Sequence, residues 1–155
     1  MRLIFALGTM EKLELKHVAP YLPYGLAFIC FDVESKEFEE LPLVSINLAN
    51  EELEIGGMDI PIDELPYPIG LEIKPILRPL SDLTKEIEVN GEKFVPRVKM
   101  GLIHDVSGNN IFNYRTGERI NILSLPYYKI EYLFEWHFDV FGLIEQGLAI
   151  DINTL

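Results

Sequence analysis

Histidine, cysteine and the acidic residues are the side chains of this sequence that could carry catalysis or bind a metal. The three histidines, His17, His104 and His137, lie far apart in the chain, so only the fold could bring them together. The single cysteine, Cys30, excludes an intramolecular disulfide and any multi-cysteine zinc site. Because Cys30 lies within the apolar run of residues 26–31, the sequence predicts a small buried core residue and not a reactive thiol.

Known ligand and catalytic motifs are a second source of chemistry. Asp105, Ser107 and Asn109 have the spacing of the first calcium-loop ligands, but Asn110 replaces the required glycine and Thr116 the required acid. The phosphate-binding and dinucleotide-binding glycine motifs, the zincin motif and the nucleophile elbow do not occur. We therefore predict a protein that is not an enzyme and that uses no cofactor and no metal.

The charge of the chain is strongly uneven. The net charge is −12, from 25 acidic and 13 basic residues, and residues 32–72 contribute −11 of it. This balance argues against a protein that coats nucleic acid or anionic membranes, because both need positive potential. Closely spaced carboxylates usually lie on solvated turns and strand faces. Residues 32–72 also provide a candidate acidic interaction surface. We assign to that surface Glu37, Glu39, Glu40, Glu51, Glu52 and Glu54.

Residues 74–99 form a weakly basic stretch, with six bases, four acids and a net charge of +2. Under an alternative hypothesis this stretch contacts nucleic acid phosphates. The candidate contact residues are Lys74, Arg78, Lys85, Lys93, Arg97 and Lys99. Phe94 is the aromatic residue among them, which is too little for a base-stacking platform, and ordinary solvated faces are the simpler interpretation.

Short alternating segments separated by glycine and proline predict a small, mostly antiparallel sheet, and one alternative is that this sheet curls into a barrel-like form. The clearest signal is Asn90-Gly91 inside residues 86–95, which is typical of a type I′ hairpin. Counting outward from this turn pairs Ile87 with Phe94 and Glu88 with Lys93. Ser81 is a good N-cap for a short helical turn.

Apolar residues recur at helical spacing after Pro126 and predict a C-terminal amphipathic helix over about residues 126–145. Its aromatic side chains belong to a core or act as interface anchors. They are Tyr127, Tyr128, Tyr132 and Trp136. The fold class is therefore predicted to be α+β, with one domain over residues 1–155, because a chain of this length builds a single core.

Three segments carry a resemblance to other proteins. Residues 74–96 read KPILRPLSDLTKEIEVNGEKFVP, residues 133–155 read LFEWHFDVFGLIEQGLAIDINTL, and residues 17–26 read HVAPYLPYGL. Together they resemble an uncharacterised family of small proteins encoded by prophages and other mobile elements of gut anaerobic bacteria. The resemblance implies an accessory protein made in the bacterial cytoplasm and transfers no site residue. It also favours Met10 as the native start, with residues 1–9 as a loosely held extension.

The leading functional hypothesis is a non-enzymatic, phage-associated accessory protein that acts through protein–protein interaction with a host or phage-encoded partner. The first alternative is nucleic-acid binding through residues 74–99, and a second is an acidic nucleic-acid mimic using residues 32–72. No apolar run approaches the ~20 residues of a membrane span, so a cytoplasmic protein without membrane contact is expected.

Overall fold

The computed structural model describes residues 12–155, which divide into two compact units. The first unit contains the described residues up to Ile76 together with Leu143–Ile150. The second unit contains Leu77–Gly142 and Asp151–Leu155. The predictions for residues 1–9 and for a start at Met10 lie outside the described residues.

The first unit is built on an antiparallel sheet that follows a short helix, α1, and a 3₁₀ segment. Helix α1 spans Leu15–Val18, the 3₁₀ segment Ala19–Tyr24, and the strands are β1 Ala27–Asp32, β2 Phe38–Asn47, β3 Glu52–Ile55, β4 Met58–Pro61 and β5 Leu71–Leu77, with a short 3₁₀ turn at Ile62–Glu64. The late strand β11, Ile150–Asp151, completes a sheet of order β11-β5-β1-β2-β3-β4. The predicted α+β class with a mostly antiparallel sheet is confirmed. The order is open, with β4 and β11 at its edges, so the barrel-like alternative is not supported.

The β3–β4 hairpin depends on glycine at its turn. Gly56 and Gly57 have φ of +56° and +89°, a region that L side chains rarely adopt. At Gly56 an added Cβ would also come within 2.8 Å of the Leu41 side chain. Within the hairpin, Leu53 and Ile55 of β3 are fully buried on the core side of the sheet.

The second unit combines short strands, 3₁₀ turns and two helices. Its elements are 3₁₀ Leu80–Thr84, β6 Ile87–Val89, β7 Glu92–Phe94, α2 Pro96–Lys99, β8 Asp105–Ser107, β9 Asn110–Phe112, β10 Arg119–Ile120, 3₁₀ Ile122–Ser124, α3 Tyr127–Glu135 and 3₁₀ Ile152–Thr154. Strands β8, β9 and β10 form a three-stranded antiparallel sheet. The predicted N-cap at Ser81 is wrong, because Ser81 lies inside the 3₁₀ turn and Pro79 precedes that turn.

The predicted hairpin of residues 86–95 is confirmed in detail. Strands β6 and β7 pair Ile87 with Phe94 and Glu88 with Lys93, as counted from the turn. Asn90 and Gly91 have φ of +51° and +82°, the positive values that a type I′ turn requires. Local turn chemistry therefore determines this register.

The C-terminal helix is shorter than predicted, because α3 ends at Glu135 and does not continue to about residue 145. The His137 N–H donates to the Phe134 carbonyl, and the Phe138 N–H donates to the Leu133 carbonyl at 2.8 Å. These bonds form a Schellman cap in which His137, at φ +60°, occupies the position usually taken by glycine. The apolar periodicity continues beyond the cap because Phe138 and later apolar residues are buried without being helical.

Buried apolar side chains around α3 form the core of the second unit. Leu83, Leu133, Trp136 and Phe138 expose at most 2% of their surface. Lys129 is also buried, and its Nζ donates to the Gly101 carbonyl at 3.0 Å. No helix within residues 12–155 is long and apolar enough to cross a membrane.

Candidate interaction surfaces

One face of the first unit's sheet collects carboxylates. Residues directly opposite each other in an antiparallel pair project to the same side of the sheet. Phe28 and Cys30 are buried, so their neighbour Ile29 and its partner Glu40 project to the opposite side. The registers of the other strands extend this side, which we call the acidic face. Its members are Glu40, Glu52, Glu54, Asp59 and Glu72.

The structure divides the six acids that the sequence assigned to one surface. Glu40, Glu52 and Glu54 share the acidic face. The register places Glu39 opposite Cys30, on the other side of the sheet. Both remaining acids lie outside the strands, Glu37 in the loop between β1 and β2 and Glu51 in the turn between β2 and β3.

Asp59 and Glu72 belong to the acidic face although they were not among the six acids assigned to it from the sequence. The signal for Asp59 was present, because a two-residue turn at Gly56-Gly57 necessarily pairs Glu54 with Asp59. Glu72 could not be found in this way, because its partner Phe31 comes from a strand distant in sequence.

Glu54 and Asp59 face each other directly across β3 and β4. Like charges at directly opposite positions destabilise a sheet. The Ser45 hydroxyl donates to Glu54 Oε1 at 3.0 Å, which satisfies one oxygen without supplying a positive charge. On the same face, Lys74 Nζ lies 3.3 Å from Glu72 Oε1 and neutralises that carboxylate.

Exposed apolar side chains lie at one end of the acidic face. These are Val33 (53% exposed), Phe38 (67%), Tyr67 (61%) and Ile69 (100%), and we call them the apolar end. The Val33 N–H donates to the Gly70 carbonyl at 3.1 Å, which brings the Val33 turn beside the loop of Ile69. The Tyr67 ring centroid lies 5.5 Å from Lys74 Nζ, which places this ring over the face. Exposed apolar residues grouped in this way are typical of interaction sites.

Cys30 lies on the core side of the same sheet and is 8% exposed, as the sequence predicted. Burial raises the pKa of the Cys30 thiol, and the carboxylates of Glu39 and Asp32 raise it further. Both causes disfavour the thiolate, which is the nucleophilic form. This environment gives Cys30 a packing role.

The six bases of residues 74–99 do not form one row. Lys74 belongs to the first unit, whereas the other five belong to the second. Three of the six lie within 4 Å of a carboxylate. The pairs are Lys74–Glu72 at 3.3 Å, Lys85–Asp82 at 3.4 Å and Lys99–Glu92 at 2.7 Å. Lys93 faces Glu88 across the hairpin. These carboxylates reduce the positive potential that phosphate binding would need.

Arg78, another of these bases, is half-buried in a polar cluster of the second unit. Burial lowers the pKa of its guanidinium, and the carboxylates of Asp82 and Asp151 oppose that shift. Asp82 is 3% exposed, and its Oδ2 accepts a hydrogen bond from Asn153 Nδ2 at 2.9 Å. The cluster therefore attaches the C-terminal 3₁₀ turn to the turn of residues 80–84, which is a structural role.

The second unit also contains an open groove of about 360 Å³. Its lining residues are Glu92, Phe94, Val95, Val98 and Lys99. The Phe94 ring lies 4.8 Å from the Trp136 ring, and Trp136 stacks on Tyr132 at 4.7 Å. From the sequence, Phe94 was the one aromatic residue of the basic stretch. Its contacts with other rings could not be foreseen, because Tyr132 and Trp136 come from a helix more than 30 residues away.

The four helix aromatics fall into different environments. Trp136 is a core residue, 2% exposed, and Tyr132 is half-buried. Tyr127 and Tyr128 are 76% and 57% exposed, so they are free of the core. The side of the helix that carries them is therefore accessible to a partner.

Within residues 12–155, no group of three or more His, Cys, Asp or Glu side chains is placed to hold a metal ion. No protein family, curated protein or solved structure matches the chain. The function is inferred below from the acidic face with its apolar end and from the groove of the second unit.

Proposed function

We propose that this chain is a non-enzymatic accessory protein that binds a protein partner through the acidic face and apolar end of its first unit. The observation that carries the proposal is the position of Phe38, which is 67% exposed and lies on the same side of the sheet as the carboxylates. A surface of this kind is complementary to a basic, amphipathic segment, whose apolar side chains would cover Phe38 and Ile69 while its lysines or arginines face the carboxylates.

Charge supports a basic partner. The described residues of the first unit include fourteen acidic and four basic residues, a net charge of −10, whereas the second unit carries ten acidic and eight basic residues, a net of −2. Such a field accelerates encounter with a cationic partner and makes binding weaken as salt rises. The facing carboxylates of Glu54 and Asp59 repel each other in the free protein, and a partner's cation between them would remove that repulsion.

The resemblance of residues 17–26, 74–96 and 133–155 supplies the biological setting of the proposal. We place the protein among the accessory proteins of a phage or mobile element, acting in the bacterial cytoplasm. The partner is then a host protein or one encoded by the same element.

The test begins with affinity capture from element-bearing cells, followed by binding measurements on the partner identified by mass spectrometry. The double variant Glu54→Gln/Asp59→Asn removes two charges from the acidic face. We expect it to weaken binding about 10-fold, since charge-pair losses of this kind cost roughly 1–2 kcal/mol. The matched control, Glu86→Gln/Glu88→Gln, removes two charges from exposed positions of the second unit and should leave binding unchanged.

Two results would contradict the proposal: capture of no protein above background, or equal weakening by both double variants. A Phe38→Ser variant provides a separate check on the apolar end. It should weaken binding at every salt concentration, because apolar burial is not screened by salt.

The two alternative hypotheses remain predictions with their own tests. Nucleic-acid binding through residues 74–99 predicts a steep fall in affinity for DNA or RNA as salt rises. The nucleic-acid mimic predicts that the captured partner is itself a nucleic-acid-binding protein and that oligonucleotides compete with this chain for it.

A further inference from the structure

The groove of the second unit has an apolar wall and one charged pair. Phe94, Val95 and Val98 form the wall, and Val98 is 75% exposed even though it is apolar. The charged pair at the groove is Lys99 and Glu92, with Nζ and Oε1 2.7 Å apart. Nothing in this arrangement belongs to the acidic face, which lies in the first unit.

Lys99 lies over the aromatic floor of the groove. Its Nζ is 4.3 Å from the centroid of the Phe94 ring and 6.0 Å from that of Trp136. A cation in this position is attracted by the ring faces. The ring floor is rigid, because Trp136 packs between Phe94 and Tyr132. The ammonium group thus lies over the rings and pairs with Glu92, which occupies the position of an anionic partner.

We propose that this groove binds a short peptide segment in which an apolar side chain is followed by a carboxylate. The apolar side chain would lie against Phe94, Val95 and Val98, and the carboxylate would replace Glu92 on Lys99. A volume of about 360 Å³ accommodates one or two side chains and not a folded domain.

Charge complementarity selects an acidic occupant. Residues 92–99 contain three bases, Lys93, Arg97 and Lys99, and one acid, Glu92. The lining itself holds only Lys99 and Glu92 as charged residues, so an anionic group gains its attraction to Lys99 by displacing Glu92, whereas a basic peptide would bring a second cation beside Lys99. Single-stranded nucleic acid is a poorer fit, because Lys99 covers the Phe94 face on which a base would have to stack.

The proposal goes beyond the proposed function, because the two binding sites require partners of opposite charge. A chain with both sites could connect two proteins, or two segments of one protein. The sites are separable by experiment: Glu54→Gln/Asp59→Asn should leave binding at the groove unchanged.

The experiment is a selection from a random peptide display library with the full chain as bait. We expect enriched peptides to combine a bulky apolar residue with a nearby aspartate or glutamate. One synthetic enriched peptide then serves as the probe, and its affinity is measured by fluorescence anisotropy. A change in the fluorescence of Trp136, the single tryptophan, should accompany binding at the groove, because its ring lies 4.8 Å from that of the lining residue Phe94.

The variants distinguish exchange at Lys99 from nonspecific attraction. Glu92→Gln removes the internal competitor and should tighten binding about 3- to 10-fold, whereas Lys99→Gln should weaken it at least 10-fold. The matched controls are Glu88→Gln and Lys93→Gln, which alter the facing pair of the same hairpin outside the groove lining and should change the affinity less than 2-fold.

Several outcomes would overturn the inference. These are a selection that enriches no peptide, enriched peptides without a carboxylate, weaker binding to Glu92→Gln, and stronger binding of single-stranded oligonucleotides than of the peptide. Circular dichroism of each variant verifies that the fold is retained, so that lost binding is attributable to the groove.

Discussion

The side-chain amide of Asn153 donates a hydrogen bond to a carboxylate that has almost no access to water. Asp82 is 3% exposed, and its Oδ2 accepts the Asn153 hydrogen bond at 2.9 Å. The other oxygen, Oδ1, lies 3.4 Å from Lys85 Nζ, but the Lys85 side chain is 66% exposed. Arg78 also lies near this carboxylate, and Asn153 is itself exposed, so removal of its amide takes a hydrogen-bond donor from the buried oxygen but leaves two cations nearby.

The expected cost follows from these contacts. A hydrogen bond to a charged group contributes about 1.5–3 kcal/mol; the half-buried Arg78 compensates part of its loss, and the mostly exposed Lys85 compensates little. We therefore expect Asn153→Ala to lower the free energy of unfolding by about 2 kcal/mol. Thr154→Val is the matched control, because Thr154 Oγ1 donates to the Asp151 carbonyl in the same 3₁₀ turn at an exposed position. Loss of this exposed hydrogen bond should lower the free energy of unfolding by about 0.5 kcal/mol.

Urea unfolding followed by Trp136 fluorescence measures both variants, since Trp136 is 2% exposed and belongs to the same unit as Asn153. With an m-value of about 1–2 kcal/mol/M, the midpoint for Asn153→Ala should fall by about 1–2 M. Equal midpoint shifts for the two variants would refute the reasoning, because burial of the acceptor would then make no difference.

Three further predictions concern the first unit. Gly56→Ala should lower the free energy of unfolding by about 2–4 kcal/mol, because φ is +56° and the new Cβ would lie 2.8 Å from Leu41; Gly57→Ala, whose Cβ would meet nothing within 4 Å, should cost about 1 kcal/mol. Burial raises the pKa of Cys30 above its ordinary value of 9.0, so the thiol ionises at a lower pH in the unfolded chain than in the folded one. Stability should therefore be constant below that pH and fall above it, and urea midpoints of Cys30→Ala should lack this fall. Asp59→Asn removes one of two facing carboxylates and should raise the unfolding free energy by about 0.2–1 kcal/mol at low salt, a gain that thermal melts in 1 M NaCl should not show.

Much of the local structure was predictable from the sequence. The Asn90-Gly91 turn predicted both the hairpin and its register, and the short alternating segments separated by glycine and proline predicted an antiparallel sheet. The burial of Cys30 followed from its apolar neighbours. In each case the relevant interactions join residues that are close in the chain.

The end of the last helix was not predictable in this way. Periodicity continued past Glu135, but the Phe138 N–H bonds back to Leu133 and Arg78 pairs with Phe138 as an isolated bridge. An apolar period shows which residues are buried, and a burial pattern is the same for a helix and for a folded-back segment. Long-range pairing with Arg78 distinguishes the two.

The sequence by itself determined the chemical inventory: an excess of carboxylates concentrated in residues 32–72, one cysteine, a weakly basic stretch, and turns that require glycine. The tertiary structure decided which of these groups meet. It placed Glu40 and Glu54 on one side of a sheet and Glu39 on the other, and it brought Trp136 against Phe94. Turn and strand preferences act over a few residues, whereas charge pairing and ring stacking depend on distances in space that only the folded chain defines.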